Sequence, residues 1–236
     1  MSSVWTIAAR DFKSYFSSPV AYVVLIAFVM VNGYFFTLAL FLTREANMQF
    51  VLRSMGLLLI FLMPAITMRS LAEEKRSATL DLILACPVRD WEVVLGKYLG
   101  SLAFYGVMLI STLHFPLLLG LLGCPDYLPI IVGYVGCLLL GAAVLATGLW
   151  SSSLTQNQVV AYVIAFGMLM LVWAADRVSA YVGHPFTDIL KSVAMSSHYS
   201  DFAWGVLDTR HIVYYLSWTI TFLGLTVHSL SLRRWL

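Results

Sequence analysis

Between residues 69 and 97 the chain gathers ten charged side chains: Arg69, Glu73, Glu74, Lys75, Arg76, Asp81, Arg89, Asp90, Glu92 and Lys97. The whole sequence holds only 14 Lys and Arg and 12 Asp and Glu, so this segment is where charge chemistry has to be sought. Phosphate binding is the first candidate, but Gly96-Lys97 has no upstream glycine and is followed by Tyr98, so a P-loop is absent. Hydrolysis within a membrane is the second, but HExxH, a GxSx serine with a helical histidine, and paired aspartates are all missing. Cys86, Cys124 and Cys137 show neither CxxC nor pairing intervals, which argues against a metal or disulfide. The remaining chemistry is protein docking, because Arg89 and Trp91 are the residue types favoured as interface anchors.

Local signals divide this segment into two helices. In Ser70–Ala85, Leu71, Ala78 and Leu82 share one face, while Glu73, Glu74, Arg76, Ser77 and Asp81 share the other. Pro87 suits the first position of the next helix, and Asp90 and Glu92 in its opening turns complement the dipole. That helix is expected to run through Gly96-Lys97-Tyr98-Leu99-Gly100, whose GxxxG permits a close helix approach.

The elements that hold this segment are set by where charge is missing. Residues 14–43, 98–125, 127–175 and 211–232 contain no Asp, Glu, Lys or Arg, and hydrophobic residues make up 61% of the chain. About 20 apolar residues cross a bilayer as a helix. The fold expected is all-α and polytopic, with six spans at 20–42, 48–68, 98–123, 130–150, 159–175 and 212–232. Strands alternating for ten residues, as in a membrane barrel, do not occur. A soluble enzyme, a nucleic-acid-binding domain and a secreted disulfide module are excluded by this composition. With the N-terminus inside, the inner segments carry nine Lys and Arg and the outer ones five, which places both termini in the cytoplasm.

Outside the spans, residues 1–19 read as an interfacial helix. Trp5, Ala8, Ala9, Phe12 and Phe16 form its apolar face, opposite Thr6, Arg10, Lys13, Ser14 and Ser17, with Pro19 ending it. A mere topogenic anchor is the plainer alternative. The outer segment 176–211 contains stretches suited to short, partly inserted helices, or to a surface loop with helical turns. His114 and His228 are the ionisable residues within the spans. His114 beside Pro116 is expected to bond a carbonyl freed by the proline kink rather than to relay protons, and Pro64 is expected to kink the second span.

The run PAITMRSLAEEKRSATLDLILACPVRDWEVVLGKYLGSL resembles the exit of the second span, the coupling segment and the start of the third span in ABC-2 type transporter permeases. It is nearest in character to the gliding-motility-associated branch. SSPVAYVV, SSSLTQNQVVAYVIAF and SSHYSDFAWGVLDTRHIVYYLSWTITFLGLTVHSL extend the likeness over most of the chain, with Ala78 standing where relatives often carry glycine. The resemblance implies a single transmembrane domain that lacks its own ATPase site, binds no cofactor, and works with ATP and Mg on separate ATPase subunits. It also implies a second permease copy, an auxiliary membrane subunit of the gliding type, and a bacterial inner-membrane location. Residues 1–19 would be the elbow helix and 69–97 the coupling segment. Pro87, Val88, Arg89, Asp90, Trp91 and Glu92, within a coupling helix 86–92, would contact the ATPase. Ser151, Ser152, Ser153, Gln156 and Asn157 would make a second cytoplasmic contact. Glu73, Glu74 and Arg76 are expected to brace the elbow against the coupling segment. The function implied is ATP-driven export. The alternatives are a non-transporting membrane anchor for a motility or envelope machine and, more remotely, an intramembrane enzyme using His114.

Overall fold

The computed structural model describes residues 2–43, 48–77, 79, 88–123, 125–179 and 186–234. Among them every regular element is helical. In chain order they are α1 (Ser2–Ser17), α2 (Pro19–Thr43), α3 (Gln49–Thr67), α4 (Ala72–Arg76), α5 (Asp90–Thr112), α6 (His114–Leu122), α7 (Tyr127–Leu154), α8 (Gln158–Ser179), α9 (Phe186–Val193), α10 (Met195–Ala203) and α11 (Thr209–Arg234). Several starts follow from short polar side chains. Asp126 Oδ1 accepts from Leu128 N at 3.3 Å, Asn157 Oδ1 from Val159 N at 3.0 Å, and Asp208 Oδ1 from Arg210 N at 2.9 Å.

Five helical stretches of the described residues are long and apolar enough to cross a membrane: Pro19–Phe41, Gln49–Arg76, Asp90–Leu121, Tyr127–Leu154 and Gln158–Ser179. The sixth expected crossing, α11, is a continuous helix of 26 residues but falls outside that group. Tyr214, Tyr215, Ser217, Trp218 and Thr219 dilute its apolar character. Large apolar side chains such as Met30, Phe41, Leu121, Val163 and Leu171 stand exposed around the bundle, as expected of surfaces that meet lipid or partner chains.

The third expected span is not one helix from residue 98. Its helix begins at Asp90, and a turn at Leu113 separates α5 from α6. Pro116 has no N–H for the carbonyl of Thr112, which instead accepts the Tyr134 hydroxyl at 3.0 Å. His114 Nδ1 lies 2.6 Å from the carbonyl of Ser111. His114 thus meets a carbonyl at the turn, as expected, but that of Ser111 rather than the Thr112 carbonyl that Pro116 frees.

α7 forms the centre of the bundle, against α3, α5, α8, α10 and α11. Tyr105 on α5 donates to the Cys137 carbonyl at 2.6 Å, and Trp218 on α11 donates to Thr147 Oγ1 at 2.9 Å. The outer segment sinks into this bundle. Met195, Tyr199, Phe202 and Ala203 of α10 are buried, the Tyr199 hydroxyl donates to the Leu52 carbonyl, and Ser196 Oγ donates to the Trp173 carbonyl at 2.8 Å. α10 ends in a left-handed Gly205 (φ 84°), with Gly205 N bonded to Phe202 O at 3.0 Å and Val206 N to Asp201 O at 2.8 Å. This is a Schellman closure that needs glycine.

Candidate functional site

The segment expected to dock lies at the start of α5. Val88 and Arg89 precede the helix, Arg89 being extended (φ −79°, ψ 144°), and Glu92 Oε2 accepts the Arg89 N–H at 3.0 Å. The helix thus begins at Asp90, three residues after Pro87, the first position expected. The reason is chemical: Glu92 at the third helical position reaches back to cap the residue before Asp90. Arg89 and Trp91 are exposed, with 40% of Trp91 accessible, while Val88, Asp90 and Glu92 are half-buried. Pro87 and Cys86, and most of the second half of the expected helix Ser70–Ala85, lie outside the described residues. Within that expected helix α4 spans only Ala72–Arg76.

About two turns into α5 the chain buries a cation. Lys97 is 2% exposed and its Nζ lies 2.7 Å from Glu74 Oε1, 3.2 Å from Asp11 Oδ2 and 3.0 Å from the Ser70 carbonyl. Arg10 Nη2 lies 3.2 Å from Asp11 Oδ1 and 3.3 Å from Glu74 Oε1. α1, α4 and α5 are thereby joined through one lysine. Gly96 and Gly100, on either side of it, give α1 its seat. A Cβ at Gly96 would stand 2.8 Å from Ile7 Cβ, and one at Gly100 would stand 3.1 Å from the Ala8 carbonyl and from Asp11 Cβ. Tyr15 then stacks on Phe104, with centroids 5.1 Å apart.

This geometry revises several expectations. The face of α1 turned inward is Val4, Ile7, Ala8, Asp11, Phe12 and Tyr15, whereas Trp5, Ala9 and Phe16 are exposed. A purely apolar inward stripe would leave Lys97 with Glu74 as its one carboxylate partner among the described residues, and Asp11 facing α5 supplies the second. Of the expected brace, Glu74 takes part, while Glu73 and Arg76 are exposed. Asp11 and Lys97 were not picked out from sequence. The available signal was the small-residue interval Gly96–Gly100 enclosing a lysine at the end of a charge-free run.

The expected second contact also divides. Ser151, Ser152 and Ser153 are buried, and Gln156 and Asn157 are exposed. Ser152 Oγ accepts from Leu71 N at 3.1 Å and Ala72 N at 2.9 Å and donates to Met68 O at 3.1 Å. Lys75 Nζ donates to the Ser153 carbonyl. Ser152 satisfies the turn between α3 and α4, whose backbone groups would otherwise be unpaired, while the Ser151 and Ser153 hydroxyls donate to Gly148 and Trp150 carbonyls in their own helix. Only Gln156 and Asn157 are left free to face outward.

On the far side of the chain the expected re-entrant segment carries a histidine pair that sequence alone did not single out. His198 Nδ1 lies 2.7 Å from His211 Nδ1, His198 Nε2 3.1 Å from the Ser192 carbonyl, and His211 Nε2 2.8 Å from Asp201 Oδ2. The bonds are consistent when His198 donates from Nε2 and accepts at Nδ1, which requires it to be neutral. Burial, followed by the positive charge available on His211, depresses its pKa below the ordinary value, against the Ser192 carbonyl and Asp201. The folded pKa lies below the unfolded value near 6.5. The stabilisation is therefore complete above that value and is lost as pH falls through the folded pKa. Going from about pH 7.5 to about pH 5.5 is expected to lower the melting temperature of the wild type. His198→Gln should flatten that drop, and an unchanged drop in the variant would exclude His198 as its source. Among the described residues no three His, Cys, Asp or Glu side chains converge as a metal site would require.

The described residues form a bundle of apolar helices with Arg89 and Trp91 exposed at the start of α5. The profile described as ABC-2 family transporter protein matches residues 18–201, well over half of the chain. No curated protein matches the sequence significantly. The chain belongs to the ABC-2 family of transporter proteins.

Proposed function

We propose that the chain is the permease subunit of an ATP-driven exporter, docked to separate ATPase subunits through Arg89, Asp90 and Trp91 at the start of α5. The observation that carries this reading is the exposure of Arg89 and Trp91 directly beneath the buried Lys97 junction. A push on the first turn of α5 is delivered through Lys97 to α1 and α4 together. Both termini face the cytoplasm, α1 lies on the inner leaflet as an elbow, and α11 is a sixth crossing. Gln156 and Asn157, in the turn between α7 and α8, make the smaller contact. A second copy of the chain faces this one across the translocation path, and an auxiliary membrane subunit of the gliding type accompanies them in the bacterial inner membrane. ATP and Mg are held by the ATPase, whose closure moves α3 and α5 against the partner copy.

Replacing Arg89 by Asp and Trp91 by Ala together tests this. Central interface anchors cost about 2 kcal/mol or more when truncated, so ATPase affinity is expected to drop about 30-fold or more. Copurification of the ATPase and permease-stimulated ATP hydrolysis should fall together, with the helical content of the permease unchanged. Full copurification and full hydrolysis in the double variant would reject the docking assignment. Hydrolysis without transport in reconstituted vesicles of the wild type would favour the membrane anchor instead.

A further inference from the structure

A cavity of about 520 Å³ opens where α1 crosses the first turns of α2 and the last turns of α3. That is within the range of small-molecule sites. Three polar atoms on residues lining it are buried without a hydrogen-bond partner: Arg69 Nε, Ser70 Oγ and Glu74 Oε2. Buried polar groups left unpaired are costly, so three at one cavity point to a ligand with matching groups. Arg69 is fixed from behind by Nη1 to Ser18 Oγ at 3.3 Å, and Glu74 by Oε1 to Lys97 at 2.7 Å. Each therefore keeps one unpaired polar atom on a residue that lines the cavity.

The unpaired atoms are of opposite kinds. The N–H of Arg69 and the hydroxyl of Ser70 donate, which suits phosphate oxygens. Glu74 Oε2 accepts, which suits an ammonium group. The charged residues of the lining are Asp11, Glu73 and Glu74 against Arg69 and Lys97, a net negative wall. A simple anion is disfavoured there, whereas a group carrying both phosphate and ammonium is complementary. The opposite wall is apolar: Val20, Ala21 and Val24 of α2 with Ala65 and Ile66 of α3. Both helices are long and apolar enough to cross a membrane, and this wall lies at the ends of those stretches, the level at which headgroups meet acyl chains.

We propose that this cavity binds the headgroup of a zwitterionic aminophospholipid, its phosphate on Arg69 and Ser70, its ammonium on Glu74 and its first acyl methylenes along Val24 and Ala65. The lipid fills the space under α1 and ties the N-terminal helix to the ends of α2 and α3. The proposal rests on the crossing of the membrane by α2 and α3 and is independent of ATPase docking.

The test uses the full chain, delipidated in detergent and offered equal amounts of phosphatidylethanolamine and phosphatidylglycerol, with retained lipid counted by native mass spectrometry. Free O-phosphoethanolamine is a third arm. Retention of phosphatidylethanolamine is expected to exceed that of phosphatidylglycerol about tenfold, a preference of about 1.4 kcal/mol. Arg69→Gln removes the cation, and Ala65→Leu fills the apolar side while leaving every charge in place. Either should bring retention down to the phosphatidylglycerol level, with far-UV circular dichroism unchanged. Equal retention of the two lipids, retention of phosphatidylethanolamine by both folded variants, or binding of free O-phosphoethanolamine as strong as that of the lipid would each overturn the proposal.

Discussion

Lys97→Met is expected to destabilise the protein by about 3–5 kcal/mol, because breaking a buried ion pair from one side leaves uncompensated charge behind. The charges left are Asp11 and Glu74, whose side chains are 14% and 19% exposed. Arg10 still touches both, but at 54% exposure it is a solvent-screened partner, so the lower end of that range is expected. The Ser70 carbonyl also loses its donor. Methionine keeps the length and apolar stem of lysine, so the loss reads charge and not volume. The observable is a lower melting temperature in detergent, accompanied by faster hydrogen exchange along α1. Adding Asp11→Asn and Glu74→Gln to Lys97→Met should recover part of the loss, since neutralising all partners removes the stranded charge. A single variant melting with the wild type would show that the junction has no structural role.

Gly136→Ala is expected to cost about 1–3 kcal/mol by overpacking, although alanine is the better helix former. A Cβ there would stand 2.7 Å from Phe202 Cγ and 3.1 Å from Cδ2, and closer still to Phe202 Cβ. Phe202 is fully buried, and its Cβ cannot move without its backbone. Relief requires α10 to back out of the bundle, which breaks the Tyr199 bond to the Leu52 carbonyl. Gly167→Ala is the matched control. Nothing lies within 4 Å of its added methyl group, so it should be neutral or stabilise by up to about 1 kcal/mol through helix propensity. Thermal melts of the two variants should move in opposite directions from the wild type, or at least only the Gly136 variant should fall. Equal melting points would refute the close seating of α10.

The spans were legible because a bilayer imposes a length and forbids charge, and both constraints are written locally. Residues 20–42 and 48–68 differ from α2 and α3 by a residue at each end. The helix starting at Asp90 was less legible, because Pro87 is a generic start signal and the reach of Glu92 back to Arg89 competes with it. The junction was hidden for a different reason. Lys97 and Asp11 are 86 positions apart, and no local pattern says which carboxylate meets a lysine. Ser151 to Ser153 misled in the opposite direction, since a polar run at a helix end reads as surface. Ser151 and Ser153 donate to carbonyls of their own helix, and Ser152 bonds to backbone groups of a distant turn. The histidine pair was unreadable because His198 and His211 sit on separate helices, and only the insertion of α10 brings their rings together.

The break at Leu113 also sets how far a displacement can travel. α5 is unbroken for 23 residues, a rod of about 35 Å at 1.5 Å per residue. Rotating such a rod by about 10° about its far end moves the near end by roughly 6 Å. The turn at Leu113, where the Thr112 carbonyl is held by Tyr134 in place of a helical N–H, is the natural fulcrum. A displacement of the first turn of α5 would therefore be largest at Trp91 and smallest at Leu113, where Tyr134 of α7 holds the chain.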